Sequence, residues 1–188
     1  MKSYRKQSLG IVVAGVSLLA AAAQTQAAHL VGLTTGGNVI TFDSASPGTI
    51  QTSAMLTGLG SETLIGIDRR PSNGLLYGVG TGGSLFTVNP LTGAASMVGT
   101  LSTGLLGSGF GFDFNPVPDR LRLVSNQEQN LRINVGTGVA LIDGGLSYSL
   151  SDVNAGANPN IVASGYINNV PGALTTTRSE STRLNSSH

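Results

Sequence analysis

The sequence predicts an all-β fold, a β-propeller-like array of four-stranded antiparallel blades that is incomplete. About three blades and the start of a fourth are expected. The main observation is a repeat, because residues 65–102 and 110–147 align without a gap at an offset of 45 and share twelve identities. A repeat of this length made of short strands is typical of propeller blades. The identities include Gly66/Gly111, Asp68/Asp113, Leu76/Leu121, Asn89/Asn134 and Gly93/Gly138.

The composition supports the same fold class and excludes several kinds of chemistry. The chain has 27 glycines and only 10% charged residues, against roughly 25% in ordinary domains, which suits short strands and tight turns. It has no cysteine, so disulfides and thiolate chemistry are excluded. Its only histidines are His29 and His188. Ser-His-Asp hydrolysis and histidine-rich zinc sites are therefore excluded as well.

The two ends differ from the repeats between them. Residues 1–27 have a basic start, an apolar run over residues 9–23 and small residues before Ala28, which predicts a secretory signal peptide. The protein is therefore expected to be secreted or periplasmic, with no membrane association after cleavage. Residues 178–188 have no periodicity and resemble a translated sequencing adapter, so a non-native tail is predicted there. Residues 28–177 are then the partial β-propeller domain.

The charge of that domain argues against two classes of partner. Residues 28–177 contain five arginines, no lysine and eight acidic residues, a formal charge of −3. A basic surface for nucleic acid or membrane binding is therefore not expected.

The positions of the strands are predicted from the turn residues between them and from the alternation of apolar and polar residues. In the second repeat unit, strands are expected at residues 64–68, 75–79, 84–89 and 95–100, separated by turns rich in glycine, proline and asparagine. In the first unit, residues 29–33 and 39–42 align with the middle of the second unit at an offset of 46. The chain is therefore expected to enter the array in the middle of a blade.

The third unit keeps the same plan with different side chains. Its leucines and Ile133 alternate with arginines, and residues 126–130 form a polar hairpin tip. A structureless passage is expected over residues 149–160. The first strand of a fourth blade is expected at residues 161–166.

Two aspartates occupy equivalent positions, and they leave two interpretations open. Asp68 and Asp113 each lie three residues before a proline. Such aspartates commonly cap the turn that follows a strand. Alternatively, first strands line the channel of a propeller, where repeated carboxylates converge on a cation such as calcium, which binds 6 to 8 oxygens. Asp68 and Asp113 are therefore the metal candidates, and no other cofactor is expected.

A charged group in the third unit also has two interpretations. Arg120, Arg122, Arg132 and Glu128 form a candidate ligand-binding set, since arginines on alternate positions of neighbouring strands are suited to a carboxylate or phosphate. Such residues more often form a solvated or ion-paired face, here with Asp119 and Glu128 as local partners.

These stretches resemble a secreted bacterial family known as domain of unknown function 4394. The resemblance is carried by residues 30–43, 65–80, 112–134 and 164–169 and covers essentially all of residues 28–177. It implies an exported, propeller-like protein with no established activity and no catalytic residues to transfer.

Three functions are compatible with the sequence. The first is a non-enzymatic binding or interaction module with a protein or surface-polymer partner, because propellers present variable loops on a constant scaffold. The second is a calcium-dependent hydrolase or lactonase. The third is a structural role in an extracellular matrix.

Overall fold

The fold is described by a computed structural model, which covers residues 27–182 of the 188. Within that span the chain forms thirteen β-strands and no helix, arranged as four antiparallel sheets. The all-β prediction is confirmed, and the sheets are consistent with an incomplete blade-like arrangement. Residues 1–26 of the predicted signal peptide and residues 183–188 of the predicted tail lie outside the described residues. No stretch of residues 27–182 forms a helix that is long and apolar enough to span a membrane.

Each sheet is a meander in which consecutive strands pair. The first sheet contains β1 (His29–Leu33), β2 (Asn38–Asp43) and β3 (Ile50–Met55). The second contains β4 (Leu64–Arg69), β5 (Leu76–Gly80), β6 (Ser84–Val88) and β7 (Ala95–Thr100). The third contains β8 (Phe110–Asn115), β9 (Arg120–Ser125), β10 (Asn130–Ile133) and β11 (Ala140–Ile142). The fourth contains β12 (Ile161–Tyr166) and β13 (Arg178–Thr182).

The second sheet follows the predicted plan, with strand ends displaced by one residue at most. The first sheet has three strands, and β1 aligns in sequence with β5 rather than β4; the entry in the middle of a blade stays a prediction. Its third strand, Ile50–Met55, was not predicted. Half of its residues are polar and most are exposed, so the hydrophobic alternation that marks a strand is weak there.

The start of the predicted tail is part of the fold. Residues 178–182 form β13, which pairs antiparallel with β12 from Tyr166↔Arg178 to Ile161↔Thr182. Strand pairing requires only backbone hydrogen bonds, so even a stretch without apolar periodicity can occupy the edge of β12. The origin of residues 178–188 stays a prediction.

Three apolar layers hold the four sheets together. Between the first and second sheets lie Val39, Leu76, Phe86 and Val88. The layer between the second and third sheets includes Val79, Leu85, Phe114, Leu121, Leu123, Leu131 and Ile133. A smaller layer of Val124, Leu146 and Ile161 lies between the third and fourth. The alternation of arginine with apolar residues in β9 therefore directs Leu121 and Leu123 to one neighbouring sheet and Arg122 to the other.

Two turn glycines lie against the preceding sheet, one in the second sheet and one in the third. Gly93 and Gly138 have φ angles of 73° and 75°, a region that favours glycine. A Cβ atom at Gly93 would lie 2.2 Å from the carbonyl oxygen of Met55, and one at Gly138 would lie 2.1 Å from that of Thr100. This repeated close contact explains why the pair is identical at the offset of 45.

We call β4, β8 and β12 the leading strands, because they are the first strands of the second, third and fourth sheets. The leading strands pack side by side, with β8 between β4 and β12. A Cβ atom at Gly66 would lie 2.8 Å from that of Phe112, and one at Gly111 would lie 2.6 Å from the carbonyl carbon of Ala163. The absence of a side chain at these two positions therefore permits the close approach of the leading strands.

Candidate functional site

A cluster of charged side chains lies on the face of the third sheet that is directed toward the fourth. Arg122 on β9 and Arg132 on β10 are direct cross-strand neighbours. Asp143, which follows β11, bridges them. Its Oδ2 accepts a hydrogen bond from Nη1 of Arg122 at 2.7 Å, and its Oδ1 accepts one from Nη2 of Arg132 at 2.6 Å. Two cations share one carboxylate, so the cluster has an excess positive charge.

Arg122 is the buried member of the cluster, and its Nη1 and Nε donate hydrogen bonds to neighbouring side chains. Only 6% of the residue is exposed. Its Nη1 also donates to Oδ1 of Asn130 at 2.6 Å, and its Nε donates to the hydroxyl of Tyr166 on the fourth sheet at 3.3 Å. The guanidinium of Arg132, followed by that of Arg122, holds the pKa of Asp143 below its ordinary value. Arg122 therefore links two sheets, whereas Arg132 remains partly exposed.

Arg120 lies beside a cleft that opens on the same face. Its Nη1 donates to the carbonyl oxygens of Pro118 and Asp119, at 3.1 and 3.0 Å. Within residues 27–182 it forms no ion pair. The cleft has a volume of about 430 Å³ and combines two arginines with exposed apolar side chains. Its lining consists of Pro118, Arg120, Arg132, Asn134, Thr137, Val139 and Leu141.

The second sheet has a cleft at the equivalent place. It measures about 490 Å³, and its lining includes Leu75, Thr87, Asn89, Ala94 and Ser96. At the offset of 45 these residues correspond to Arg120, Arg132, Asn134, Val139 and Leu141. The scaffold is thus repeated. Arg69 also lines the second-sheet cleft, but Arg120 and Arg132 have no arginine counterparts there.

Glu128 is not brought into this group. It is exposed at the tip of the β9–β10 hairpin, with a φ angle of 62°, whereas the cleft lies at the opposite end of the sheet. Asp119 is engaged elsewhere, because its carboxylate forms a bidentate pair with Arg70 of the second sheet, with Nη2 to Oδ2 at 2.5 Å. The expectation that Asp119 and Glu128 are the partners of the third-sheet arginines is therefore wrong. Asp143 takes that role.

The two repeated aspartates meet between neighbouring leading strands. Oδ2 of Asp68 accepts a hydrogen bond from the backbone N–H of Phe114 at 2.7 Å, and Oδ2 of Asp113 accepts one from the N–H of Tyr166. The interpretation as turn caps is wrong, because the turns are capped by Asn73 and Asn115 instead. Each aspartate binds the next leading strand.

The carboxyl groups of Asp68 and Asp113 are also close enough to alter each other's pKa. Burial raises the pKa of both, and the neighbouring Asp68 carboxylate raises the pKa of Asp113 further, to about 8. The pair therefore holds a proton at a pH where an isolated aspartate has already lost it. Within residues 27–182 no third carboxylate or histidine joins them to complete a group of three metal-ligating side chains.

A larger cleft, of about 530 Å³, separates the first two sheets and contains one carboxylate. Glu62 accepts hydrogen bonds from the hydroxyl of Ser84 and from the N–H of Gly82, the latter at 2.7 Å. The hydrogen bond from Ser84 lowers the pKa of Glu62. Both carboxylate oxygens are thus used to hold the β5–β6 hairpin, and the rest of the lining is uncharged.

Sequence reasoning missed three members of the arginine cluster, namely Asn130, Asp143 and Tyr166. Asp143 is an acid without a counterpart in the second repeat, where Val98 stands at the equivalent position. The sequence did contain a signal for Asp143, namely a charged residue at a position where the other repeat has an uncharged one. Tyr166 was not predictable in this way, because its contact with Arg122 depends on the packing of the fourth sheet.

The fold and the site define an all-β protein of repeated antiparallel sheets, with a cleft on the third sheet that is lined by two arginines. The chain belongs to the family described as domain of unknown function (DUF4394), which matches residues 38–180. No curated protein matches the chain.

Proposed function

We propose that the chain is an exported, incomplete β-propeller that acts as a non-enzymatic binding module. The cleft on the third sheet is the proposed site, and its ligand is a carboxylate group of a protein or of a surface polymer. The observation that carries the proposal is the comparison of the two equivalent clefts. The second-sheet cleft has one arginine, Arg69, whereas the third-sheet cleft has Arg120 and Arg132 at positions that are leucine and threonine in the second sheet. This difference favours a recognition role that is added to a repeated scaffold.

The chemistry of the cleft favours a carboxylate. Only Nη1 of Arg120 donates to backbone carbonyls. Its other N–H groups are therefore available for a bidentate contact with a carboxylate. Asn134 adds an amide to the lining, and the exposed Val139 and Leu141 provide an apolar surface beside it. Because residues 28–177 have a net charge of −3, the attraction is local, which favours a single acidic group over a long polyanion.

Binding of short acidic ligands tests the proposal. We expect the full chain to bind a short oligoglutamate peptide or a short oligouronate, and the two ligands distinguish a protein partner from a polymer partner. Arg120→Gln is expected to weaken the preferred ligand about tenfold, as for the loss of one hydrogen bond to a charged group. Isothermal titration calorimetry measures the dissociation constant of each variant.

The matched control is Glu128→Gln, at the other end of the same sheet. It also removes one charge from the same sheet, although a negative one, and we expect no loss of affinity. If Arg120→Gln binds as tightly as the parent chain, or if neither ligand binds at all, the cleft is not the site.

The proximity of Asp68 and Asp113 bears on a second candidate, the calcium-dependent hydrolase or lactonase. Calcium requires 6 to 8 oxygens, but each aspartate already commits one oxygen to a backbone N–H. A calcium ion would also have to displace the proton that the pair holds. We therefore expect millimolar calcium to leave the melting temperature of the full chain unchanged in differential scanning calorimetry.

A calcium-dependent rise in melting temperature would favour the metal-dependent alternative. Asp113→Asn would have to abolish that rise before the ion could be assigned to this pair.

A further inference from the structure

The cleft on the third sheet differs from its counterpart on the second sheet in apolar side chains as well as in arginines. At the offset of 45, Val139 corresponds to Ala94, and Leu141 corresponds to Ser96. Val139 and Leu141 are 48% and 57% exposed, so both side chains are accessible to a ligand. Two arginines and two larger apolar side chains therefore distinguish the third-sheet cleft.

The residues that the two clefts share have a structural role in both. Asn134 and Thr137 correspond to Asn89 and Thr92. In each sheet the asparagine and the threonine accept hydrogen bonds from the backbone N–H groups two residues further on, which stabilises the turn after the third strand. The residues that differ, rather than this shared turn, therefore define what each cleft can bind.

The third-sheet cleft is a feature of its own sheet. The second sheet is followed by a third sheet with four strands, and the second-sheet cleft is open nonetheless. The opening of the third-sheet cleft therefore does not depend on the two strands of the fourth sheet. Its volume of about 430 Å³ lies within the range of clefts that bind small ligands, roughly 300–1,000 Å³.

The two arginines offer separate donor groups to a ligand. Nε and Nη2 of Arg132 donate to Asp143, at 3.0 and 2.6 Å, and Asp143 does not line the cleft. Such a bidentate pair fixes the plane of the guanidinium. Within residues 27–182, Nη1 of Arg132 and both Nε and Nη2 of Arg120 have no hydrogen-bond acceptor. Their N–H groups are available to one carboxylate between the two side chains.

A carboxylate that is attached to an apolar side chain matches both parts of the cleft. Its charge would lie at Arg120 and Arg132, and its apolar group would pack against Val139 and Leu141. The ammonium group of a free amino acid would lie close to both guanidinium groups and would be repelled by them. An acylated amino group, as in a peptide bond, carries no charge. The C-terminal residue of a peptide chain meets all of these requirements.

We propose that the third-sheet cleft binds the free C-terminal carboxylate of a peptide whose last residue is apolar. Arg120 and Arg132 bind the carboxylate, and Val139 and Leu141 contact the last side chain. An N-acylated apolar amino acid presents the same chemistry. This inference rests on the proposed function, because it uses the same two arginines, and it adds the requirement for an apolar side chain beside the carboxylate.

Short synthetic ligands test this proposal by isothermal titration calorimetry with the full chain. The probe is an N-acetylated peptide of two glycines followed by leucine. The same peptide ending in alanine should bind about tenfold more weakly, because it buries less apolar surface. The leucine peptide with a C-terminal amide should bind at least about tenfold more weakly, because the charge is lost. N-acetylleucine distinguishes the two sources: weaker binding than the peptide indicates a protein C-terminus, and equal binding indicates a small acylated amino acid.

Leu141→Ser provides the test on the protein side, because it introduces the residue that the second sheet has. This variant should bind the leucine and alanine peptides equally. The matched control is Ile142→Ser. Ile142 is 71% exposed, but it lies on the opposite face of the same strand and does not line the cleft. The control should keep the preference for leucine.

Three results would overturn the proposal. They are equal binding of the amide and the free acid, equal binding of the leucine and alanine peptides to the parent chain, and a preference for leucine that survives in Leu141→Ser. In each case, binding of a C-terminally amidated oligoglutamate that Arg120→Gln weakens would leave the proposed function in place. Failure of every carboxylate ligand would overturn both.

Discussion

The Gly111→Ala chain is expected to be less stable than the parent by about 3 kcal/mol, in the range of overpacked buried sites. A Cβ atom at this position would lie 2.6 Å from the carbonyl carbon of Ala163 and 2.7 Å from the backbone nitrogen of Ser164. Backbone atoms of a neighbouring strand cannot move aside as a side chain can. The leading strands β8 and β12 would therefore have to separate, and the Asp113–Tyr166 hydrogen bond would be lost with them.

Urea unfolding monitored by circular dichroism measures this difference, and Gly165→Ala is the matched control. Gly165 also lies in a leading strand, but a Cβ atom there would meet nothing within 4 Å. Its substitution should change the free energy of unfolding by less than about 0.5 kcal/mol. Equal stability of the Gly111→Ala and Gly165→Ala chains would mean that β8 and β12 do not pack as described.

The second large effect is a dependence of stability on pH that arises from Asp68 and Asp113. Burial and the neighbouring carboxylate raise the pKa of Asp113 to about 8 in the folded chain. The folded state then holds a proton that the unfolded state releases near the ordinary aspartate pKa of about 4. The stabilisation is fully present below that value and is lost as the pH rises toward 8. The free energy of unfolding should fall by up to about 1.4 kcal/mol per pH unit in this window.

The charged and titratable groups around the pair do not reverse this sign. Arg69 lowers the pKa of Asp68, but burial outweighs it. Arg122 is opposite Asp113 on β9, yet its guanidinium is directed to Asp143 and Asn130. Tyr77 on β5 and Tyr166 on β12 also lie beside the pair, and His29 on β1 lines the cleft that includes Asp68.

Asp113→Asn isolates the contribution of the pair. Asparagine reproduces the protonated aspartate, since its oxygen can accept from Tyr166 while its amide donates to Asp68. The variant should lose the slope between pH 4 and 8 and exceed the parent in stability above pH 8. Asp152→Asn, in the exposed loop after the third sheet, should keep the parent slope. A parent chain whose stability rises through this window would contradict a proton held by the pair.

The sequence predicts the repeated part of the fold well because turn chemistry and core alternation recur in register. Leu121, Leu123, Leu131 and Ile133 were placed in the core by alternation and are fully buried. The β3 strand escaped prediction because its residues are polar and exposed. The pairing of residues 178–182 was not predicted either, because backbone hydrogen bonding does not require a periodic pattern of apolar side chains.

The candidate sites were predictable only in part, because the repeat identifies equivalent residues but not their neighbours. Alignment placed Asp68 and Asp113 together, and the structure brings them close to each other, although each serves the next strand rather than its own turn. Alignment also marked the arginines as the variable feature of the third repeat. The alignment did not reveal that Arg122 is buried and pairs with Asp143. These contacts depend on where β11 ends and on how the fourth sheet packs.

The binding of a carboxylate ligand between Arg120 and Arg132 is tested most directly by nuclear magnetic resonance. An isotope-labelled full chain is titrated with whichever short acidic ligand binds, and the backbone amide shifts are followed. We predict that the largest changes occur at Arg120, Arg132 and Leu141, with none at the equivalent Leu75, Thr87 and Ser96 of the second sheet. Equal changes in both clefts, or changes confined to residues outside the third-sheet cleft, would contradict the proposed function.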